Sequence, residues 1–299
     1  MKSERVLQGA YDIHVHAAPD VVPRSTDVVQ LAKEANEQKM AGMLIKDHTT
    51  STVGRAFALN RMLEGTCRFF SSLALNPPVG FINAQAVEAA LRSGADMIFF
   101  PTYGAENHIT RWGRGKPPTA FPIANDATRG FSLADETGGG KERVNRILEL
   151  VAEHDVVLGT GHLSPEEVLE LIKRARKTGI RRIVVTHPSE SVVDMNPDQQ
   201  KEAARMGAMI EHCFFAVTDS CPGKIQLEEI RDQIRYVGVC SCILSSDFGQ
   251  VANPHPIEGF AHYLEKMRAL GFSGDELRVM THDNPKKLLE KEKGAPPEE

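Results

Sequence analysis

Short apolar runs and helical stripes alternate along the chain. The runs are Tyr11–His16, Gly42–Lys46, Arg68–Leu75, Met97–Phe100, Val156–Gly159, Arg182–Thr186, Ala208–Phe214 and Cys242–Ser245. Each is rich in Val, Ile, Phe or Leu and short, as expected of a strand buried on both faces. Between them lie amphipathic patterns with readable ends. Ser164-Pro165-Glu166-Glu167 is a capping box with proline at the first helical position. Val168, Leu169, Ile172 and Ala175 then share a face, and Gly179 suits the stop. Asn196-Pro197 opens another helix that Gly207 ends. Leu227, Ile230, Ile234 and Val237 stripe a third, closed by Gly238.

Eight strands alternating with helices specify a parallel sheet with crossover helices, class α/β. It closes either as an eight-stranded barrel or as an open doubly wound sheet. The length, 299 residues, suits a (β/α)8 barrel of roughly 250 residues with one insertion. Strand starts fall about 26–34 residues apart, except for a gap of about 60 after the fourth. That gap, Tyr103–Gly140, is rich in glycine and reads as an irregular lid on the C-terminal face of the barrel, where barrel active sites sit. Residues 1–289 therefore form one barrel domain with a lid-like insertion at 103–140, and 290–299 form a charged, Pro-rich, disordered tail.

Composition narrows the function. Lys plus Arg number 35 against 40 Asp plus Glu, a net charge of −5 that argues against a nucleic-acid partner. No apolar run reaches the roughly 18–20 residues of a membrane span. The start, Met1-Lys2-Ser3-Glu4-Arg5, lacks the apolar core of a secretory signal, so a cytoplasmic protein is expected. The five cysteines are an odd number, which argues against a disulfide framework. Cys240 and Cys242 read as two small buried hydrophobes on one strand. Gly159-Thr160-Gly161 lacks the third glycine of a dinucleotide fingerprint, and there is no Walker loop and no nucleophile elbow.

Six of the eleven histidines sit at or just past the C-terminal ends of the expected strands: His14, His16, His48, His162, His187 and His212. In a barrel all six converge on one mouth. Imidazoles gathered on an apolar wall suggest a metal. In Asp12-Ile13-His14-Val15-His16 the polar residues alternate, so all three share a face of a strand. Two such imidazoles can bind one ion. Gly161-His162, Thr186-His187-Pro188 and Ser246-Asp247-Phe248 close the fifth, sixth and eighth strands. A carboxylate beside a metal can accept a proton from water, whose pKa the ion lowers toward ~7.

The ordered set resembles the amidohydrolase superfamily of metal-dependent (β/α)8 hydrolases, most of all its phosphotriesterase and deoxyribonuclease-like branches. The superfamily's pattern is His-x-His on strand one, His on strands five and six, and Asp on strand eight. The resemblance places His14, His16, His162, His187 and Asp247 as metal ligands, with Asp247 also the proton acceptor and His187 or His162 completing the metal shell or polarising the electrophile. Thr281-His282-Asp283-Asn284-Pro285-Lys286-Lys287-Leu288-Leu289 looks like the family's closing helix. Strand four departs from the pattern. Met97-Ile98-Phe99-Phe100-Pro101-Thr102 offers no bridging lysine or glutamate. The site then holds one ion, or another group bridges two. Lys46 on strand two could bridge, but a salt bridge to Asp47 or Asp12 is the better reading. The donors suit zinc first, with manganese or iron as alternatives.

Around this set, Asp12 is expected to orient His14 or His16 by a hydrogen bond. His48 would share a face with Lys46. His212 is a candidate substrate contact, Glu211 could face the pocket in its place, and His255 is a weaker one. Arg111, Arg114, Lys116 and Arg129 in the lid either hold an anionic substrate or simply solvate a loop. The resulting expectation is hydrolysis of a small-molecule amide, lactone, ester or phosphoester, in a protein that could be a homo-oligomer. A decarboxylase of the same superfamily, needing lid arginines for an acidic substrate, is the first alternative. A non-enzymatic metal-binding barrel is the second. A histidinol-phosphatase-like barrel would need further mid-chain ligands, which are not evident.

Overall fold

A computed structural model of the protein describes residues 6–113, 129–135 and 139–291. The strands are β1 (Tyr11–Val15), β2 (Gly42–Ile45), β3 (Arg68–Phe70), β4 (Ser72–Ala74), β5 (Met97–Phe99), β6 (Val157–Gly159), β7 (Ile183–Val185), β8 (Met209–Cys213) and β9 (Cys242–Ser245). All their pairings are parallel and follow sequence order, β1 to β3 in one sheet and β4 to β9 in another. The third run, expected as one strand, is interrupted at Ser71. Its backbone N–H turns to the Asp96 carboxylate (2.8 Å) instead of to a neighbouring strand. The far edges also meet. His16 N–H donates to Phe248 O (2.8 Å) and Asp247 N–H to His14 O (2.9 Å). The architecture is thus a (β/α)8 barrel.

The helices are α1 (Val28–Glu37), α2 (Val53–Met62), α3 (Ala84–Arg92), α4 (Glu106–Trp112), α5 (Gly140–Glu153), α6 (Pro165–Thr178), α7 (Pro197–Arg205), α8 (Leu227–Val237), α9 (Pro256–Ala269), α10 (Gly274–Arg278) and α11 (Asn284–Leu289). The capping box at Ser164 forms as expected, Asn196 starts α7 with a capping box of its own, and Gly179 ends α6 in the left-handed conformation. None of the helices is long and apolar enough to cross a membrane. The segment 103–140 is not irregular throughout. It opens with α4, and Phe131 returns to bond Gly104 and Glu106. Residues 114–128 and 136–138 lie outside the described residues, and with them Arg114 and Lys116.

Two apolar layers result from strand alternation. Tyr11, Ile13, Leu44, Phe70, Met97, Phe99, Val157, Val184 and Ile243 point inward, and Leu288 and Leu289 of α11 join them. Their alternates, such as Ile98, Leu158, Val185, Ile210 and Leu244, pack under the helices. Burying each such side chain contributes roughly 1.5–3 kcal/mol. Of the expected tail, Glu290 accepts from Tyr11 OH (2.6 Å) and Lys291 donates to His154 O (2.7 Å), so the chain stays docked that far. Cys242 is buried on β9, whereas Cys240 lies before the strand and is exposed, contrary to the paired reading.

Candidate functional site

The inward apolar layer stops at the C-terminal end of the barrel, and polar side chains replace it. Strand β1 carries a bulge. Its register with β2 slips by one residue between Asp12 and Val15. Ile13 stays in the inner core, and His14 and His16 beyond it both reach the mouth. The bulge separates Asp12 from them. Its Oδ1 accepts from the backbone N–H groups of Ser246 (3.1 Å) and His14 (3.3 Å) and orients neither ring. Asp12 is a clamp between β1 and the end of β9, a correction to the expected ring contact. Burial pushes its carboxyl up to about 7.

Three atoms converge first. His14 Nε2 lies 3.3 Å and His16 Nε2 3.1 Å from Asp247 Oδ1. Glu211 Oε2 sits 3.3 Å from His14 Nδ1, where it can accept that proton and leave Nε2 as a lone-pair donor. The backbone is shaped to this end. Asp247 has φ 52°, and Gly249 (φ 134°) lies so close to His16 that a Cβ would collide with its carbonyl oxygen.

A second group shares Asp247. His187 follows β7 with φ 29°, and its Nδ1 stands 3.5 Å from Glu190 Oε2. His187, Glu190 and Asp247 present one ligand atom each within 4.8 Å of one another, as do His14, His16 and Asp247. A third such set, His14, Glu211 and Cys213, lies behind His14. His187 Nδ1 and Glu190 Oε1 are buried and have no hydrogen-bond partner among the described residues. Unpartnered buried polar atoms are costly, and a divalent cation would satisfy both. The donor set, imidazole and carboxylate, suits zinc, manganese or iron. Burial pushes His14 down to about 3, His16 and His187 well down, and Glu211 up to about 8. All of these favour neutral forms, which for the imidazoles is already the form that ligates a cation, whereas Glu211 would give up its proton to a nearby one.

Glu190 was not singled out from the sequence. The only signal was its place three residues after His187, in a turn. His162 adjoins His187 (ring centroids 4.8 Å apart) but belongs to none of the three sets, its Nδ1 engaging His108 instead. Lys46 pairs with neither Asp47 nor Asp12, correcting the favoured reading. Asp47 binds Arg55 (2.7 Å), and Lys46 Nζ reaches 2.9 Å from His14 Nε2, 4.7 Å from the Phe99 ring centre. Phe99 thus stands where a strand-four ligand would.

Other expected residues divide. His48 lines the cavity, its ring parallel to that of His16 (centroids 4.8 Å), with Nδ1 2.9 Å from Thr102 Oγ1. His212 does not line it. On β8, Glu211 takes the inward position, so alternation turns His212 toward the helices, where Nδ1 meets Ser189 Oγ (3.0 Å). His255 precedes α9 and pairs with Glu34 (3.2 Å), outside the cavity lining. Arg111 binds Ser191 O and Asp194 Oδ2 (both 3.0 Å), and Arg129 lies 3.6 Å from Asp135. Neither lid arginine lines the cavity, which correction removes the described half of the expected anion grip.

The cavity holds about 580 Å³. His16, Lys46, His48, His162, His187, Glu190 and Asp247 lie in its wall, and Val22, Tyr103, Trp112, Phe215, Pro222 and Val251 among its apolar lining.

Fold and site together define a (β/α)8 barrel whose mouth gathers His, Asp and Glu side chains that could hold a metal ion. Among solved structures, an amidohydrolase from Pseudomonas aeruginosa superposes with TM-score 0.64 at 11% identity, covering 95% of this chain and 96% of that one. An organophosphorus hydrolase from Deinococcus radiodurans gives 0.61 at 13%, covering 96% and 94%. A TatD homologue from Escherichia coli gives 0.58 at 14%, covering 95% and 98%. No curated protein matches the sequence. The chain belongs to the family of unknown function DUF6282, which matches residues 9–211, from β1 to Glu211 on β8.

Proposed function

We propose that the protein is a metal-dependent hydrolase acting on a carbonyl or phosphoryl centre of a small neutral molecule, such as a lactone, ester, amide or phosphotriester. One observation carries the reading: two ligand sets share Asp247 at one cavity, and two atoms of the second, His187 Nδ1 and Glu190 Oε1, are buried without a protein partner. His14, His16 and Asp247 would hold one ion. His187 and Glu190, with Asp247 between, would hold another, and zinc is the first choice. When bound, the metal lowers the pKa of water and polarises the electrophile. Asp247, set against both imidazoles of β1, accepts the proton of the attacking water. Glu211 fixes the ring of His14, and the Lys46 amine, whose charged form burial disfavours, stands beside it. Structural likeness to the organophosphorus hydrolase supports the reaction class.

The charge of the wall favours hydrolysis over decarboxylation. Arg24 lines the cavity, but its guanidinium binds Asp20 (2.7 Å) with both side chains buried. With Arg111 and Arg129 committed elsewhere, no described arginine is left to grip a carboxylate. Neutral substrates with an apolar group match the lining better.

The test begins with metals per chain, measured by plasma mass spectrometry on protein purified without chelator or a metal-affinity column. One or two equivalents are expected, lost in a His14→Ala/His16→Ala control. Metal-loaded protein should then hydrolyse neutral aryl esters and lactones without releasing CO2 from carboxylated analogues. Failure to bind zinc or manganese would overturn the proposal.

A further inference from the structure

His108 stands outside every ligand set, on α4 at the start of the insertion. Its Nδ1 lies 2.6 Å from Nδ1 of His162. The two rings are tilted by only 20° and their centroids are 4.8 Å apart. With the nitrogens that close, the rings meet edge to edge in nearly one plane. This is hydrogen-bond geometry. Two nitrogens bound to one tetrahedral ion at 2.0–2.1 Å would stand roughly 3.3 Å apart, so the pair does not itself hold a metal. A single proton lies between them, on one ring or the other.

We propose that His108 is a positioning residue that keeps this proton on His162 Nδ1, so that His162 Nε2 faces the cavity as a bare lone pair. One observation chooses this direction, and two more show that the pair is held in place. An Nε2–H on His162 would call for an acceptor on the His187 side, yet the acceptors there, Glu190 Oε1 and His187 Nδ1, receive no hydrogen bond from any described residue. His108 is held too firmly to be an incidental neighbour. On the same helix, Asn107 Nδ2 donates to His162 O (3.0 Å) and Val192 O (2.7 Å), and Trp112 Nε1 donates to Ser191 Oγ (2.8 Å). Arg111 adds bonds to Ser191 O and Asp194. Finally, Gly161 (φ 63°) lets the chain entering His162 lie against the end of β5, just ahead of this helix, since a Cβ there would strike Phe100 O and Pro101 O. Helix α4 thus clamps both His162 and the turn carrying His187 and Glu190, and His108 sets the tautomer within that clamp.

The consequence for metal rests on the hydrolase reading: His162 becomes ready to join the second ion. The tautomer itself does not. Long-range proton–nitrogen spectra of histidine-labelled, metal-free protein read it directly. The native protein and His108→Asn, which keeps an acceptor at that point, should show His162 protonated at Nδ1. His108→Leu should move the proton to Nε2. Zinc titration should then show the second equivalent weakened about 10- to 100-fold in His108→Leu, with the first unchanged and His108→Asn within about threefold of native. An Nε2–H tautomer in the native protein overturns the proposal, as does a His108→Leu spectrum identical to native. If the native protein takes up no zinc, the hydrolase reading fails and the spectra still decide the role of His108.

Discussion

The two halves of the candidate centre are built differently. His14, His16 and Asp247 stand on neighbouring strand ends that bond each other directly, through Asp247 N–H to His14 O and His16 N–H to Phe248 O. His187 and Glu190 stand in a turn that folds on itself. Glu190 N–H donates to His187 O (3.0 Å), and Glu190 O accepts from Val193 (2.9 Å) and Asp194 (2.7 Å). That turn has no sheet partner at its tip and depends on α4 for support. A sheet-borne half is fixed by the barrel, whereas a loop-borne half is fixed by side chains from elsewhere and can be tuned without disturbing the fold.

The largest effect should separate the shared ligand from the loop-borne one. Asp247→Asn is expected to lower turnover by about 10²–10⁴-fold and to reduce both equivalents of metal. Glu190→Gln should lose the second equivalent only, by mass spectrometry, with the native melting temperature kept or raised in metal-free protein because a buried carboxyl is gone. Equal metal loss in the two variants would erase the distinction between the halves.

The same contrast explains what could be read from the chain. His14 and His16 were legible because a strand puts alternate residues on one face, and Asp247 because it closes an apolar run. The bulge that reassigns Asp12 was not legible, since one inserted residue leaves no mark in an alternating pattern. Glu190 was hidden because turns have no period. His108 was hidden because the segment holding it reads as irregular, although it opens with a helix. On β8 the sequence allowed either Glu211 or His212 to face inward, and only the closed barrel selects Glu211. The strands themselves, and α6, α7 and α8, were legible from apolar runs and caps.

Smaller effects sharpen the sheet-borne half. Gly249→Ala forces a left-handed φ on a residue with a side chain and drives its Cβ into His16 O. A loss of about 2–4 kcal/mol is expected in denaturant unfolding, together with weaker binding of the first ion. A variant as stable as native would show that the Asp247 loop is looser than its hydrogen bonds suggest.

Asp12 gives a pH signature. Burial raises its carboxyl from the ordinary range to about 7, so the folded state holds that proton more tightly than the unfolded chain. The stability this lends is complete below about pH 4 and is lost as pH rises to 7. Asp12→Asn removes the titration. Relative to native, its melting temperature should therefore climb across that window in metal-free protein. A constant offset from pH 4 to 7 would mean that Asp12 is ionised in the fold.

The smallest effect concerns His212, beside Glu211 on β8 but facing the other layer. Its ring is fully buried, its Nδ1 meets Ser189 Oγ, and its Nε2 has no partner among the described residues. His212→Asn keeps a polar atom near Ser189 and removes part of the ring. The cost should be about 1–2 kcal/mol of stability from lost packing. Metal content should match native, and kcat/KM should stay within about twofold on any substrate the native protein turns over. Glu211→Gln at the adjacent position should instead weaken metal binding about 10- to 100-fold, because the acceptor that orients His14 is weakened. Two neighbouring residues with opposite readouts would show that strand alternation alone divides the catalytic layer from the packing layer. A large activity loss in His212→Asn with metal intact would place that ring in the reaction.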